Sequence, residues 1–216
     1  MSAASIARDP AGAILTLPNL QAGIQLWLDR WERDFHDAFY RKLHERKRDG
    51  LTPTWWLQTV DDLAKWRATR GQTKAFILES GMQRLSRLDE QHRSLLNIHA
   101  DFEPNMDLLA WDELSGLFAT AATIKPNMSP NPMFASKVCH FIFPGAFPVV
   151  DGALVGLTQW SYPRYWGFCR QQWRACERQA ELIDALRGAM RIEPWEHYPW
   201  STKVTELCLI GMNHGP

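Results

Sequence analysis

Apolar residues recur at every third and fourth position along most of the chain, the spacing of one buried helix face. From Asn19 to Arg48, Ile24, Trp27, Leu28, Trp31, Phe35, Ala38 and Phe39 keep this spacing, with Asp29, Arg30, Arg33 and Asp37 opposite. Asp49-Gly50 ends the pattern, as glycine does after a helix. The spacing predicts further helices over Thr54–Ala68, Lys74–Ile98, Met106–Thr123, Phe134–Phe143, Arg164–Met190 and Ser201–Met212. Pro126, Pro130 and Pro132 block helix between Met106–Thr123 and Phe134–Phe143 and force a shaped loop. Strict alternation, the mark of a half-buried strand, is absent beyond the short run Phe147–Val150. The pattern predicts an all-α fold, a compact multi-helix domain with no internal repeat.

Composition narrows the class. A chain of 216 residues suits one domain. Residues 1–18 read as a flexible N-terminal segment and 19–216 as a single helical domain, with about 19–125 and 126–216 as two lobes. Hydrophobic residues are 45% and charged residues 22%, which excludes a disordered chain. Lys plus Arg and Asp plus Glu each number 24, so bulk charge cannot hold the chain to nucleic acid; such contact needs a local patch. No stretch is long and apolar enough to span a membrane. Cys139, Cys169, Cys176 and Cys208 form no Cys-x-x-Cys pair, so they read as packed, reduced thiols. Together with a weak N-terminal pattern for a signal peptide, this points to a cytoplasmic setting.

Candidate chemistry concentrates in Met133–Asp151, where a lysine opens an apolar helix, prolines pin a turn, and an aspartate opens the next helix. On a helical wheel Phe134, Val138, Phe141 and Ile142 form one stripe, and Lys137 lies about 40° from Phe141 at its edge. An amine held against apolar surface loses solvation and its pKa falls, which makes it a nucleophile for an aldehyde-like sugar carbon. A nearby carboxylate can stabilise positive charge on that sugar or orient water. The structural alternatives are a lysine snorkelling from the rim of a core helix and Asp151 acting as an N-cap. On the same wheel His140 falls on the flank away from the stripe and reads as a surface residue.

These residues resemble the core of the helix-hairpin-helix (HhH-GPD) DNA glycosylase superfamily. The correspondence runs through Lys137-Val138 and then Ala146-Phe147-Pro148-Val149-Val150-Asp151. The chain is similar, more closely still, to bacterial proteins of unsettled activity that share a Ser-Lys…Pro…Phe-Pro…Asp pattern, here beginning at Ser136-Lys137. The resemblance implies a glycosylase-like helical architecture, DNA as partner, a catalytic Asp151, and Lys137 as a Schiff-base nucleophile. Met133 and Ala135 stand where the family's hairpin carries Gly-x-Gly, and Val150 is an insertion before the aspartate. No metal or other cofactor is implied.

A second group of candidates lies downstream. Trp160, Tyr162, Tyr165 and Trp166 can wall a pocket for a flipped base or serve as ordinary packing. Arg170, Arg174 and Arg178 stand at i, i+4 and i+8, a spacing that lines phosphates beside aromatics or makes a solvated face. The run Arg41–Arg48 reads as helix-end cations complementing the dipole. Asp61-Asp62, and Asp89-Glu90 with His92, read as surface charge. Trp27, Trp31, Trp56 and Trp111 read as core. Two function classes remain open from the residues: an enzyme acting on a nucleobase in DNA, and a non-catalytic helical binding module. A small-molecule enzyme using the tryptophan-lined pocket is a third.

Overall fold

A computed structural model describes residues 12–29, 34–99, 103–126, 132–150, 160–193 and 195–214, with the side chains of 34–36 excepted. Among the described residues there are ten helices and no strand, so the chain is all-α. In chain order they are α1 (Leu17–Leu28), α2 (Asp34–Arg46), α3 (Pro53–Lys65), α4 (Lys74–Met82), α5 (Leu85–Ile98), α6 (Trp111–Ala122), α7 (Pro132–Ile142), α8 (Tyr162–Ala175), α9 (Gln179–Met190) and α10 (Trp200–His214). Their buried apolar side chains form one cluster, from Ile14 to Ile210. Ile14 and Leu15, within the segment expected to be flexible, belong to that core.

Local chemistry sets the helix starts. Thr16, Thr52 and Thr73 are N-caps whose hydroxyls accept from the backbone N–H of Asn19, Trp55 and Phe76, satisfying donors that have no partner within the helix. Pro18 and Pro53 occupy the first turns of α1 and α3, where a missing N–H costs nothing. The Glu113 carboxylate of α6 reaches back to the Ala110 N–H at 2.7 Å.

Three segments expected as single helices are each two helices. Asn19–Arg48 is α1 and α2, Lys74–Ile98 is α4 and α5, and Arg164–Met190 is α8 and α9. At Gln83-Arg84 the Arg84 guanidinium turns back to the Ser80 carbonyl at 2.8 Å, covering an acceptor at the end of α4. After α8, the Gln179 side chain donates to the Trp173 carbonyl at 2.7 Å and takes the place of the next helical turn. Of the tryptophans expected in the core, Trp56 is fully buried, Trp27 and Trp111 are half-buried, and Trp31 lies outside the described residues.

Asp62 and His92 are not surface groups, as expected from sequence, but buried at 4% and 3% exposure. Asp62 binds Arg46 at 2.6 Å and Lys65 at 2.9 Å. His92 stacks on Phe143, ring centroids 5.1 Å apart. A short-period charge pair on a helix does not reveal that a neighbouring helix covers it.

The most extensive helix contact is α1 against α10. Gly23 and Gly211 allow it. A Cβ at Gly23 would lie 1.9 Å from the Leu207 carbonyl oxygen, and one at Gly211 would lie 1.9 Å from that of Asn19. Backbone meets backbone at this crossing. Gly81 serves the same purpose in α4, where an added Cβ would sit 1.9 Å from the Trp56 indole.

Gly23→Ala is therefore expected to destabilise by about 1–3 kcal/mol, the usual cost of overpacking. That is opposite in sign to the gain of about 0.8–1 kcal/mol that the same change gives in an open helix. Gly188→Ala, exposed in α9 with open space around it, is expected to show that gain. Urea unfolding of the two variants checks both signs.

Candidate functional site

Helix α7 ends at Ile142, and residues 143–150 continue as a turn and extended chain without regular structure. All of them are buried except Gly145 and Val149, which are half-buried. A buried backbone outside helix or sheet must find a partner for each polar group. Here the partners arrive from every side. Thr202 Oγ1 donates to the Pro144 carbonyl at 2.9 Å, and Met106 N–H to that of Gly145 at 2.9 Å. Trp166 Nε1 donates to Ala146 O at 2.8 Å, Tyr162 Oη to Pro148 O at 2.8 Å, and Tyr165 Oη to Val149 O at 3.0 Å. The Val149 N–H donates to the Glu206 carboxylate, and the Val150 N–H to Ser136 Oγ at 3.3 Å.

His140 supplies the remaining bond and corrects its expected surface position. It is fully buried. Every residue from Phe134 to Ile142 is buried, so the flank opposite the apolar stripe is covered too. Its Nδ1 faces the Phe147 carbonyl at 2.7 Å, an acceptor only, so Nδ1 carries the proton. Nε2 then accepts from the Tyr40 hydroxyl at 2.7 Å. Burial, and then the charges of Lys203 and Lys47, push its pKa down to about 3. The imidazole is a neutral structural bridge from α2 through α7 to the turn.

Beside it lies a buried ion pair. Lys203 Nζ is 2.7 Å from Glu206 Oε2, with side-chain exposures of 2% and 6%. The ammonium also faces the rings of Trp27 at 4.8 Å and Tyr40 at 5.9 Å. Two cations from the Arg41–Arg48 run serve other elements. Lys47 donates to Ile142 O at the end of α7, and Arg46 pairs with Asp62.

Lys137 is buried, with 7% exposure. Its amine donates to the Trp66 carbonyl at 3.2 Å. Lys125, close by, donates to the carbonyls of Ala68, at 2.8 Å, and Arg70. Burial, and then the Lys137 charge, lower the Lys125 pKa. Asp151 lies outside the described residues. The hydrogen bond between Val150 and Ser136 nevertheless brings the residues preceding Asp151 and Lys137 together.

The downstream candidates turn inward. Tyr162, Tyr165 and Trp166 are buried and direct their polar tips at the turn. Trp160 packs edge-on against Phe168 at 5.2 Å and under Arg164 at 4.4 Å. Arg170 donates to Met106 O at 2.9 Å and lies over Trp166, while Arg174 pairs with Asp107 at 3.0 Å. Both guanidinium groups fasten α8 to the turn that precedes α6. Arg178 lies past the end of α8 and pairs with Glu181, so the expected three-arginine face is broken. All four cysteines are free thiols.

Sequence reasoning missed one group of residues. A cleft of about 280 Å³ is lined by Glu103, Asn105, Trp173, His197, Trp200 and Ser201, among others. At its edge, donor atoms of His44, Glu103 and His197 lie within 4.8 Å of one another. No spacing motif joins them, because they come from α2 and from two loops far apart in sequence.

Comparison with protein-family models, curated proteins and solved structures finds no match.

Two buried neutral histidines set the acid response. His140 and His92 are held at about 3 and about 4, His92 chiefly by its burial. His44, also lowered mainly by burial, acts in the same direction. Between those values and the unfolded value near 6.5, the unfolded chain binds more protons than the folded one. Stability is therefore full above about pH 6.5 and falls as pH drops, by up to about 1.4 kcal/mol per pH unit for each histidine. Asp62 and Asp89, held below the usual carboxylate range, add their loss only at lower pH. Urea unfolding between pH 7 and 4.5 is expected to show this slope, with a smaller slope in His140→Gln. An equal slope in the variant removes His140 from the account.

Proposed function

We propose that the chain is a DNA glycosylase-like protein that engages a nucleobase in DNA where α7 meets the turn after it. Asp151 stabilises positive charge developing on the sugar, and Lys137 is the nucleophile. The observation that carries this reading is the Val150–Ser136 hydrogen bond, which holds together the residues adjoining the acid and the amine. The resemblance of Ser136-Lys137 and Phe147-Pro148-Val149 to the glycosylase core supplies the chemical assignment.

The step is a displacement at the sugar. The Lys137 nitrogen forms a bond to C1′ as the bond from C1′ to the base breaks, and the base leaves with the electron pair. Loss of a proton from the amine and opening of the sugar ring give an iminium ion. To react, the amine must exchange the Trp66 carbonyl for substrate and give up its proton. A carboxylate at Asp151 lowers the energy of the cationic sugar only while water is excluded from it.

A second reading, a non-catalytic helical binding module on the same scaffold, is favoured by a different observation. Tyr162, Tyr165 and Trp166 spend their polar groups on the turn, and Arg170 and Arg174 on residues 106–107.

Borohydride trapping on DNA containing an abasic site separates the readings. The glycosylase reading expects a covalent adduct that Lys137→Ala abolishes. It also expects DNA binding whose affinity falls with salt. Binding without an adduct, or an adduct retained by Lys137→Ala, removes the assigned nucleophile. Absence of both binding and adduct overturns the glycosylase reading and favours the module.

A further inference from the structure

We propose that His44, Glu103 and His197 form a site for a single divalent ion of the Zn²⁺ class, with one coordination position open to the adjoining cleft. Two imidazoles and one carboxylate are a donor set that suits late first-row divalent ions. The three side chains are half-buried, close enough to solvent for an ion to enter and sheltered enough to hold it. His197 Nδ1 and Glu103 Oε2 are 2.9 Å apart. Two donors on one tetrahedral ion, with bonds of about 2.0–2.2 Å, stand roughly 3.3 Å apart. The ligand atoms, all within 4.8 Å of one another, would draw closer around an ion.

The surroundings hold the ligands in place. The rings of His44 and His197 stack at 4.2 Å with 22° between their planes, and both meet the edge of Trp195. Lys47 Nζ lies 3.7 Å from Glu103 Oε1 while its own proton goes to the Ile142 carbonyl. It stands near one carboxylate oxygen, and the other, which meets His197 Nδ1 without an ion, is the one an ion would take.

Glu103 and His197 also line the 280 Å³ cleft. Three protein ligands leave a tetrahedral ion one further position, the arrangement of sites that bind water or a substrate oxygen. The ligand class that fits is a small molecule with an anionic or carbonyl oxygen, stacked beside Trp173 or Trp200 on the cleft wall.

Co²⁺ titrated into the chelator-stripped full chain tests the site, because tetrahedral Co²⁺ with nitrogen ligands absorbs in the visible. The expected result is saturable binding of a single equivalent with that absorption, and a rise in Tm on adding Zn²⁺. Glu103→Gln keeps the shape of the side chain and removes its charge. It should weaken Co²⁺ binding by more than the roughly 10- to 100-fold that losing a merely supporting contact costs. His44→Ala should do the same, with circular dichroism confirming the fold. Absence of saturable binding to the wild-type chain overturns the site. So does absorption that persists unchanged in Glu103→Gln.

Discussion

A run of backbone outside helix and sheet cannot leave water unless its N–H and C=O groups are met. Residues 143–150 are such a run, set in the middle of an all-helical core. Most of the long-range hydrogen bonds around it exist to meet them. Lys47, just past α2, reaches the carbonyl at the end of α7. Helix α7 sends His140 and Ser136, α8 sends Tyr162, Tyr165 and Trp166, and α10 sends Thr202 and Glu206. The turn thereby fixes the mutual positions of four helices. A net gain of only about 0.5–1.5 kcal/mol per bond understates its importance, since each unmet buried group would cost about 1–3 kcal/mol.

Buried cations follow the same logic at helix ends. The carbonyls after α3 converge on a loop where Arg67 adopts a positive φ of 54°. Lys137 and Lys125 deliver ammonium groups to the carbonyls of Trp66, Ala68 and Arg70. Lys47 serves the end of α7. Each amine neutralises the partial negative charge at a helix terminus or in the turn beyond it and is itself desolvated. Lys203 turns instead to a carboxylate, that of Glu206, which also receives the Val149 N–H. Lys137 thus sits where structure and chemistry make opposite demands, a donor bond for the fold and a lone pair for a substrate.

Much of this was legible in the residues, and the rest was not for definite reasons. Period alone gave the all-α class. It ran α4 into α5, and α8 into α9, because the side chains that end them, Arg84 and Gln179, are ordinary helix formers. The aromatic cluster at Trp160–Trp166 stood out, but which carbonyl a phenol or indole will seek is a three-dimensional fact. A wheel places His140 opposite the apolar stripe, yet α7 is wrapped on all sides and has no outer face. His44, Glu103 and His197 carry no joint signature, since only the fold makes them neighbours.

The glycine crossing of α1 and α10 has a consequence for synthesis. A ribosome releases α1 long before α10, and the backbone surface around Gly23 fits against Leu207 and little else. Until α10 emerges, the nascent α1 carries an unclosed seam, and the tunnel exit must tolerate or shield it.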